Sequence, residues 1–152
     1  MRIHTWATSA AVAGALLAGT ASAAAARTET GTVPWSVRHQ TATASGQRWI
    51  EAGGTGLAGD LVVHGKLSNT GDGCYSVWTR FVFDMIPGPA HKQAQVCGRG
   101  SVDVGVRQAV QLTTTGYLTV CKGTKDTTDC ASWLNITSWP IGTPRTETAP
   151  RP

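Results

Sequence analysis

The segment from Cys74 to Cys97 reads CYSVWTRFVFDMIPGPAHKQAQVC, and it is the most informative part of the chain about the fold. β-Branched and aromatic residues precede Pro87-Gly88-Pro89, and alternating amide and apolar residues follow it up to Cys97, a pattern typical of two strands joined by a turn. When Cys74 is placed opposite Cys97 in an antiparallel pair, polar residues collect on one face and apolar residues on the other. Directly opposed residues lie close enough for a disulfide. The sequence therefore predicts a hairpin pinned by a Cys74–Cys97 disulfide.

The remaining two cysteines repeat this pattern. The four cysteines of the chain allow three different pairings. Placing Cys121 opposite Cys130 brings Leu118 opposite Trp133 and again collects most of the apolar residues on one face. We therefore predict a Cys121–Cys130 disulfide together with the first one, in preference to the two other pairings.

The rest of the central chain also has the character of short strands. Gly, Asp-Gly and Pro interrupt runs of β-branched and aromatic residues, and we find no helical periodicity. The predicted strands cover residues 47–52, 57–69, 74–84, 90–97, 101–110, 116–122 and 130–136. About seven strands at this spacing predict an all-β fold, either a small antiparallel β-sandwich or a partly open barrel.

Composition sets the limits of the domain. The chain has 152 residues, of which 41% are hydrophobic and 14% are charged, and it contains six tryptophans. So few charges exclude a long coiled coil, and the aromatic content excludes a wholly disordered chain. We expect a flexible leader over 24–45, in which 33–37 could dock as an edge strand. The predicted domain covers 46–136, and a disordered Pro/Thr-rich tail covers 137–152.

The first 23 residues have the pattern of a signal peptide. A basic start at Arg2 precedes a run of Ala, Val and Leu, and Ala21-Ser22-Ala23 supplies the small residues that a signal peptidase needs. The apolar run is too short to cross a membrane. Together with an even number of cysteines, this pattern predicts a secreted, extracellular protein.

The charge and the composition of the chain limit the classes of binding partner that we expect. The net charge is +4, and the sequence has no dense basic stripe of the kind that nucleic-acid binding needs. The two carboxylates Asp126 and Asp129 lie in the loop closed by the second disulfide, which we interpret as a solvated hairpin tip rather than a calcium site. We expect a monomer without a cofactor or a metal, and with no nucleic acid or membrane span.

One surface is the candidate binding site. In the predicted first hairpin, Trp78 shares a face with cationic and amide side chains, and polar residues of 57–69 could extend that face from a neighbouring strand. An aromatic ring beside such donors suits a sugar or an anionic polymer, because the ring covers an apolar face while the donors meet oxygens. The predicted ligand-binding residues are Trp78, Arg80, His91, Gln93, Gln95, His64 and Lys66. The alternative interpretation is that Trp78 packs under the second sheet or under the leader, while Arg80 only extends its charged end into solvent.

Catalytic signals are weak. Ser101 follows Gly98-Arg99-Gly100, but Asp103 occupies the position where a nucleophile elbow needs its second glycine. The carboxylates are scattered, and spacing alone does not bring two of them together. We therefore predict no catalytic residue and a secreted domain that binds a cell-wall or extracellular glycan or a protein. The alternatives are an exported enzyme inhibitor that presents a loop near 87–89 or 123–129, and a small secreted hydrolase.

Part of the chain resembles a known kind of protein. The segments Cys74-Tyr75-Ser76-Val77-Trp78-Thr79-Arg80, Lys92-Gln93-Ala94-Gln95-Val96-Cys97-Gly98, Cys121-Lys122-Gly123-Thr124 and Asp129-Cys130 are similar to uncharacterised small secreted two-disulfide proteins of actinobacteria. This resemblance implies a secreted chain with a similar cysteine framework. It implies no activity, cofactor or catalytic residue.

Reduction should destabilise the protein strongly. Each disulfide is expected to contribute about 2–4 kcal/mol to a domain of this size, because small domains bury limited surface. We expect the melting temperature, followed by circular dichroism, to fall markedly when a strong reductant is added. An unchanged melting temperature under reducing conditions would contradict the predicted role of the two disulfides.

Overall fold

The protein is a sandwich of two four-stranded antiparallel sheets. The structure, a computed structural model, describes residues 31–52 and 59–141. Its strands are β1 (Val33–His39), β2 (Ala42–Glu51), β3 (Asp60–Asn69), β4 (Cys74–Phe83), β5 (Ile86–Cys97), β6 (Gly100–Ala109), β7 (Thr115–Lys122) and β8 (Leu134–Asn135). The strand order is β1-β2-β3-β6 in the first sheet and β5-β4-β7-β8 in the second. The all-β prediction is confirmed, and none of the described residues forms a helix that could cross a membrane.

The core lies between the sheets and follows from the alternation of side chains along each strand. In β3, Leu61, Val63 and Leu67 are fully buried, while His64 and Lys66 point outward and are exposed. The second sheet contributes its own inward-facing residues. The buried hydrophobic residues are Trp35, Val37, Ala42, Ala44, Leu61, Val63, Leu67, Tyr75, Val77, Phe81, Val104, Val106, Val110, Leu118, Val120 and Ile136.

Both predicted disulfides are confirmed, and they lie at the same end of the second sheet. Cys74 and Cys97 are directly opposed in the β4–β5 register, with their Cα atoms 4.0 Å apart. Cys121 and Cys130 form an isolated antiparallel bridge and the second disulfide. A turn from the first sheet is joined to this end, because the Asn69 side-chain amide donates to three backbone carbonyls at 2.9 Å. This end of the sandwich is therefore covalently stapled and densely hydrogen-bonded.

The sandwich begins earlier in the sequence than the predicted boundary at residue 46. The predicted flexible leader, 24–45, is wrong from residue 33 onward, because β1 and the first part of β2 form a complete antiparallel pair there. As an edge strand, β1 matches the docking alternative for 33–37. The physical reason is that Trp35 and Val37 are spaced by two and both reach the core. Residues 1–30 and 142–152, which include the predicted signal peptide and most of the predicted tail, lie outside the described residues.

The turn of the β4–β5 hairpin also differs from the prediction. Phe83 pairs with Ile86, so the turn residues are Asp84 and Met85, and Pro87-Gly88-Pro89 lies within β5 instead of forming the turn. Both turn residues have positive φ, 48° and 67°, as a two-residue hairpin turn with the right twist requires. Prolines are tolerated in β5 because it is an edge strand.

Two glycines in the first sheet make room for a tryptophan. Gly46 and Gly65 are directly opposed on β2 and β3, and Trp35 pairs with Gly46 from β1. A Cβ atom added to Gly65 would collide with the backbone carbonyl oxygen of Ser45 and would lie 2.8 Å from Cζ2 of Trp35. The indole is 4% exposed, and its Nε1 donates to the Gln47 carbonyl at 3.1 Å. The absence of a side chain at Gly65 therefore allows both the close approach of the β2 backbone and the packing of Trp35 at this position.

A single methyl group at Gly65 should disturb this packing. We expect Gly65→Ala to lower the free energy of unfolding by about 1–3 kcal/mol, the usual cost of overpacking. Gly105→Ala is the matched control, because an added Cβ meets nothing within 4 Å there. Urea unfolding of both variants measures the difference. Equal stability of the two variants would show that the packing of the β2 backbone and Trp35 around residue 65 does not require glycine.

Candidate functional site

The candidate site lies on the outer face of the second sheet, where β4 presents every second residue. Tyr75, Val77 and Phe81 point into the core, so Trp78 and Arg80 point away from it. Residues that are opposed in neighbouring strands share a face. On β7, the residues opposed to Trp78 and Arg80 are Thr119 and Tyr117, and on β5 the residue opposed to Trp78 is Lys92.

A stack of one cation and one ring forms the centre of this surface. The Arg80 guanidinium lies 4.8 Å from the ring centroid of Trp133, within the range of a cation–π contact. Trp133 directly precedes β8, which pairs with β7 on the side away from β4. Trp78 and Trp133 therefore lie on opposite sides of β7, with the fully buried Thr119 between them. We call the surface formed by Trp78, Arg80, Lys92, Tyr117 and Trp133 the aromatic face.

Hydrogen bonds hold one ring of the aromatic face in place. The indole Nε1 of Trp78 donates to Ser76 Oγ at 2.8 Å, and that hydroxyl donates to the Gly123 carbonyl at 2.7 Å. Gly123 opens the loop that leads to the second disulfide, so the orientation of Trp78 depends on that loop. The ring is still only half-buried and keeps part of its surface in solvent.

The cations of the aromatic face lack acidic partners. Within the described residues, no carboxylate forms an ion pair with Arg80 or Lys92. The Nε of Arg80 is buried and has no hydrogen-bond partner among those residues. Lys92 Nζ donates only to neutral groups, Gln95 Oε1 at 2.7 Å and the Thr124 carbonyl at 3.0 Å. Because Arg80 and Lys92 carry positive charges that no carboxylate of the described residues pairs with, this surface is suited to an anion beside an aromatic ring.

A β-bulge separates some of the predicted site residues from the aromatic face. The register shifts between Val77 and Trp78, so Lys92 takes the place opposite Trp78 that the sequence assigned to Gln93. Gln93 instead donates to Thr79 Oγ1 at 2.7 Å, and His91 is opposed to that same inward-facing threonine. The expectation that His91 and Gln93 share a face with Trp78 is therefore wrong.

The other predicted residues divide between the two sheets. Gln95 remains on the outer face of the second sheet, opposite Ser76. His64 and Lys66 belong to β3, and β3 is in the first sheet. The expectation that they extend the surface around Trp78 is wrong, because the outer faces of two packed sheets look in opposite directions.

Sequence reasoning missed Trp133 and Lys92 as members of the surface. The predicted register placed Trp133 opposite Leu118, but Leu134 occupies that position. A slip of one residue moves a side chain to the other face of the sheet, and here it moves Trp133 beside Arg80. The signal available in the sequence was the pair Leu134 and Ile136, two apolar residues spaced by two that both pack in or against the core.

The carboxylates that come together are not arranged for acid catalysis. Glu51 and Asp60 are opposed on β2 and β3, and Arg107 contacts both of them. The hydrogen bond from Arg107 lowers the pKa of Glu51, and a second one from Trp49 adds to this effect. A glycosidase acid needs a raised pKa instead. This pair therefore does not support the hydrolase alternative.

No metal site emerges from the described ranges, 31–52 and 59–141, which hold no cluster of three His, Cys, Asp or Glu side chains. The two carboxylates of the disulfide-closed loop both serve the protein itself. Asp126 Oδ1 accepts from the backbone and the hydroxyl of Thr128, at 3.1 and 2.7 Å. Asp129 lies 2.7 Å from His39 Nε2.

Comparisons with protein-family models, with curated proteins and with solved structures find no match to this chain.

The Glu51 carboxylate should titrate at unusually low pH. Because its folded-state pKa is lowered, its contribution to stability is present above the unfolded pKa of about 4.3 and is lost as the pH falls through the folded pKa. We expect Arg107→Gln to raise the pKa of Glu51 toward its ordinary value in an NMR titration. Arg99→Gln, which removes only the exposed contact with Asp72, is the control and should leave it unchanged. An unchanged Glu51 titration in Arg107→Gln would contradict this assignment.

Proposed function

We propose that the protein is a secreted binding domain that holds an acidic extracellular glycan on its aromatic face. The observation that carries this proposal is the half-buried Arg80, stacked on Trp133 and without an acidic partner among the described residues. Guanidinium groups bind carboxylates and phosphates through paired hydrogen bonds. The rings of Trp78 and Trp133 would cover the apolar faces of the sugars while Arg80 and Lys92 meet the acidic groups.

The cellular location in this proposal is supported by the covalent framework. Two intramolecular disulfides are typical of proteins from an oxidising environment and are rare in reducing compartments. Secretion itself is part of the proposal, and it is also supported by the signal-peptide pattern of residues 1–23.

The inhibitor alternative loses one of its two candidate loops. Residues 87–89 lie inside β5, where strand pairing takes the place of a presented loop. The loop at 123–129 remains, but part of it covers the outer face of β4 through the bond from Ser76 to Gly123. The aromatic face is therefore the better-supported site of the two.

Binding should depend on Arg80. We expect the full chain to be retained on polygalacturonate or teichoic acid, and much less on uncharged dextran. Loss of a charge-assisted hydrogen bond costs about 1.5–3 kcal/mol, so Arg80→Gln should weaken binding by roughly tenfold or more. Affinity electrophoresis measures the dissociation constants, and circular dichroism checks that the variant is folded. Lys92→Gln, at an exposed position, should weaken binding in the same direction.

Lys66→Gln is the matched control for the loss of one positive charge. Lys66 lies on the outer face of the first sheet and pairs with Asp103 at 2.8 Å, so its removal should not change glycan binding. Equal binding by wild type and Arg80→Gln would reject the aromatic face as the site. An equal loss in Lys66→Gln would show attraction by net charge alone. Inhibition of an extracellular protease without retention on any glycan would favour the inhibitor alternative.

A further inference from the structure

The end of the sandwich opposite the disulfides concentrates exposed apolar side chains. The large hydrophobic residues that are exposed, among those described, are Phe83, Met85, Ile86, Leu112 and Trp139. The first three lie at the β4–β5 turn, Leu112 lies between β6 and β7, and Trp139 follows β8. The β4–β5 turn and the β6–β7 loop are joined by a hydrogen bond, in which Thr113 Oγ1 donates to Asp84 Oδ1 at 2.6 Å. Apolar side chains clustered at one place, rather than scattered, mark a binding surface.

A pocket opens at this end between the β6–β7 loop and the segment that follows β8. Its volume is about 310 Å³, at the lower end of the range for small-molecule sites. Its lining residues are Ile50, Val110, Gln111, Leu112, Thr114, Thr137, Trp139 and Ile141. No charged side chain of the described residues is among them, so the pocket is suited to an uncharged ligand.

The two hydroxyl groups in the lining are already used by the protein. Thr114 Oγ1 accepts from the Gln111 backbone N–H at 2.9 Å. Thr137 Oγ1 accepts from the Gly116 N–H at 3.1 Å and donates to Asn135 Oδ1 at 2.9 Å. The hydroxyls that line the pocket are thus engaged, and the other lining residues are aliphatic or aromatic except for the exposed Gln111. A ligand that fits it needs apolar surface rather than hydrogen-bonding groups.

One wall of the pocket is held by a buried arginine, and its rim is open. Arg48, 6% exposed, donates from Nη1 to the Ile136 carbonyl and from Nη2 to Ser138 Oγ at 3.4 Å, which fixes the segment that carries Trp139. On the rim, Leu112 is 95% exposed and Trp139 is 85% exposed. A rigid wall and two free apolar side chains at the entrance are able to enclose a narrow apolar chain.

We propose that this pocket binds the aliphatic chain of a single uncharged amphiphile, whose polar head remains outside between Leu112 and Trp139. The proposal is independent of glycan binding at the aromatic face. A bilayer is disfavoured as the source of the chain, because Asp84 places a carboxylate at the tip of the same end, and charged groups insert into hydrocarbon at high cost. The ligand therefore enters from solution as a monomer.

Isothermal titration calorimetry on the full chain tests the proposal. The probe is tetraethylene glycol monooctyl ether below its critical micelle concentration, and tetraethylene glycol without the alkyl chain is the ligand control. We expect saturable binding of one detergent molecule per chain and none of the bare head group. Leu112→Ser and Trp139→Ser should each weaken binding at least tenfold. Met85→Ser changes an exposed residue of the same end outside the pocket, and it should bind like wild type.

Several results would overturn the proposal. Absence of saturable binding, equal affinity of the Leu112→Ser and wild-type proteins, or equal binding of the bare head group would each reject the pocket as a chain-binding site. Sedimentation with phosphatidylcholine vesicles in the absence of monomer binding would assign this end to a membrane. A dimer that Leu112→Ser dissociates, without detergent binding, would assign it to a second copy of the chain. The altered side chains at all three positions are exposed, so these variants should retain the fold. None of these outcomes changes the interpretation of glycan binding by the Arg80→Gln variant, which tests the aromatic face alone.

Discussion

The register of β4 is the constraint on which the rest of the structure depends. This strand is paired on both sides, with β5 and β7, and its side chains alternate between the core and solvent. Val77 and Phe81 help to close the core, while Trp78 and Arg80 form the centre of the aromatic face. A slip by one residue would exchange these two sets, exposing the apolar residues and burying a guanidinium at high cost. The Cys74–Cys97 disulfide opposes such a slip because it joins directly opposed residues.

Departures from regular pairing decide which residues meet on the outer face of the second sheet. Because of the bulge in the β4–β5 pair, Lys92 lies opposite Trp78, where regular pairing would place Gln93. On the other side of the sheet, Leu134 is opposite Leu118, where the predicted register placed Trp133, so Trp133 lies on the outer face. Both changes bring a cationic or aromatic residue to the outer face and send an amide or aliphatic residue inward. The aromatic face gains Lys92 and Trp133 because of these two irregularities of strand pairing.

The two ends of the sandwich differ in how they are held together. At one end, two disulfides and the Asn69 side chain join the turns of both sheets. At the other end, the contacts are the hydrogen bonds of Arg48 and Thr113 and the packing around an apolar pocket. A small domain that is stabilised covalently at one end can leave apolar surface open at the other, because disulfides reduce its dependence on buried area. This division places the two proposed sites on separate parts of the molecule, one on a sheet face and one between loops.

The all-β class, both disulfides and the alternation of β3 and β4 could be predicted from the amino-acid sequence. These features depend on local periodicity and on pairs of cysteines, which can be read without knowing the neighbours of each strand. The sequence offered the docking of β1 only as an alternative, and it could not reveal that Asp84 and Met85 form the turn or that His64 and Lys66 lie in the other sheet. Only the tertiary structure decided these points and brought Trp133 to Arg80. The physical reason is that bulges, turn conformations and the assignment of strands to sheets depend on packing between distant segments, whose free energy no local pattern records.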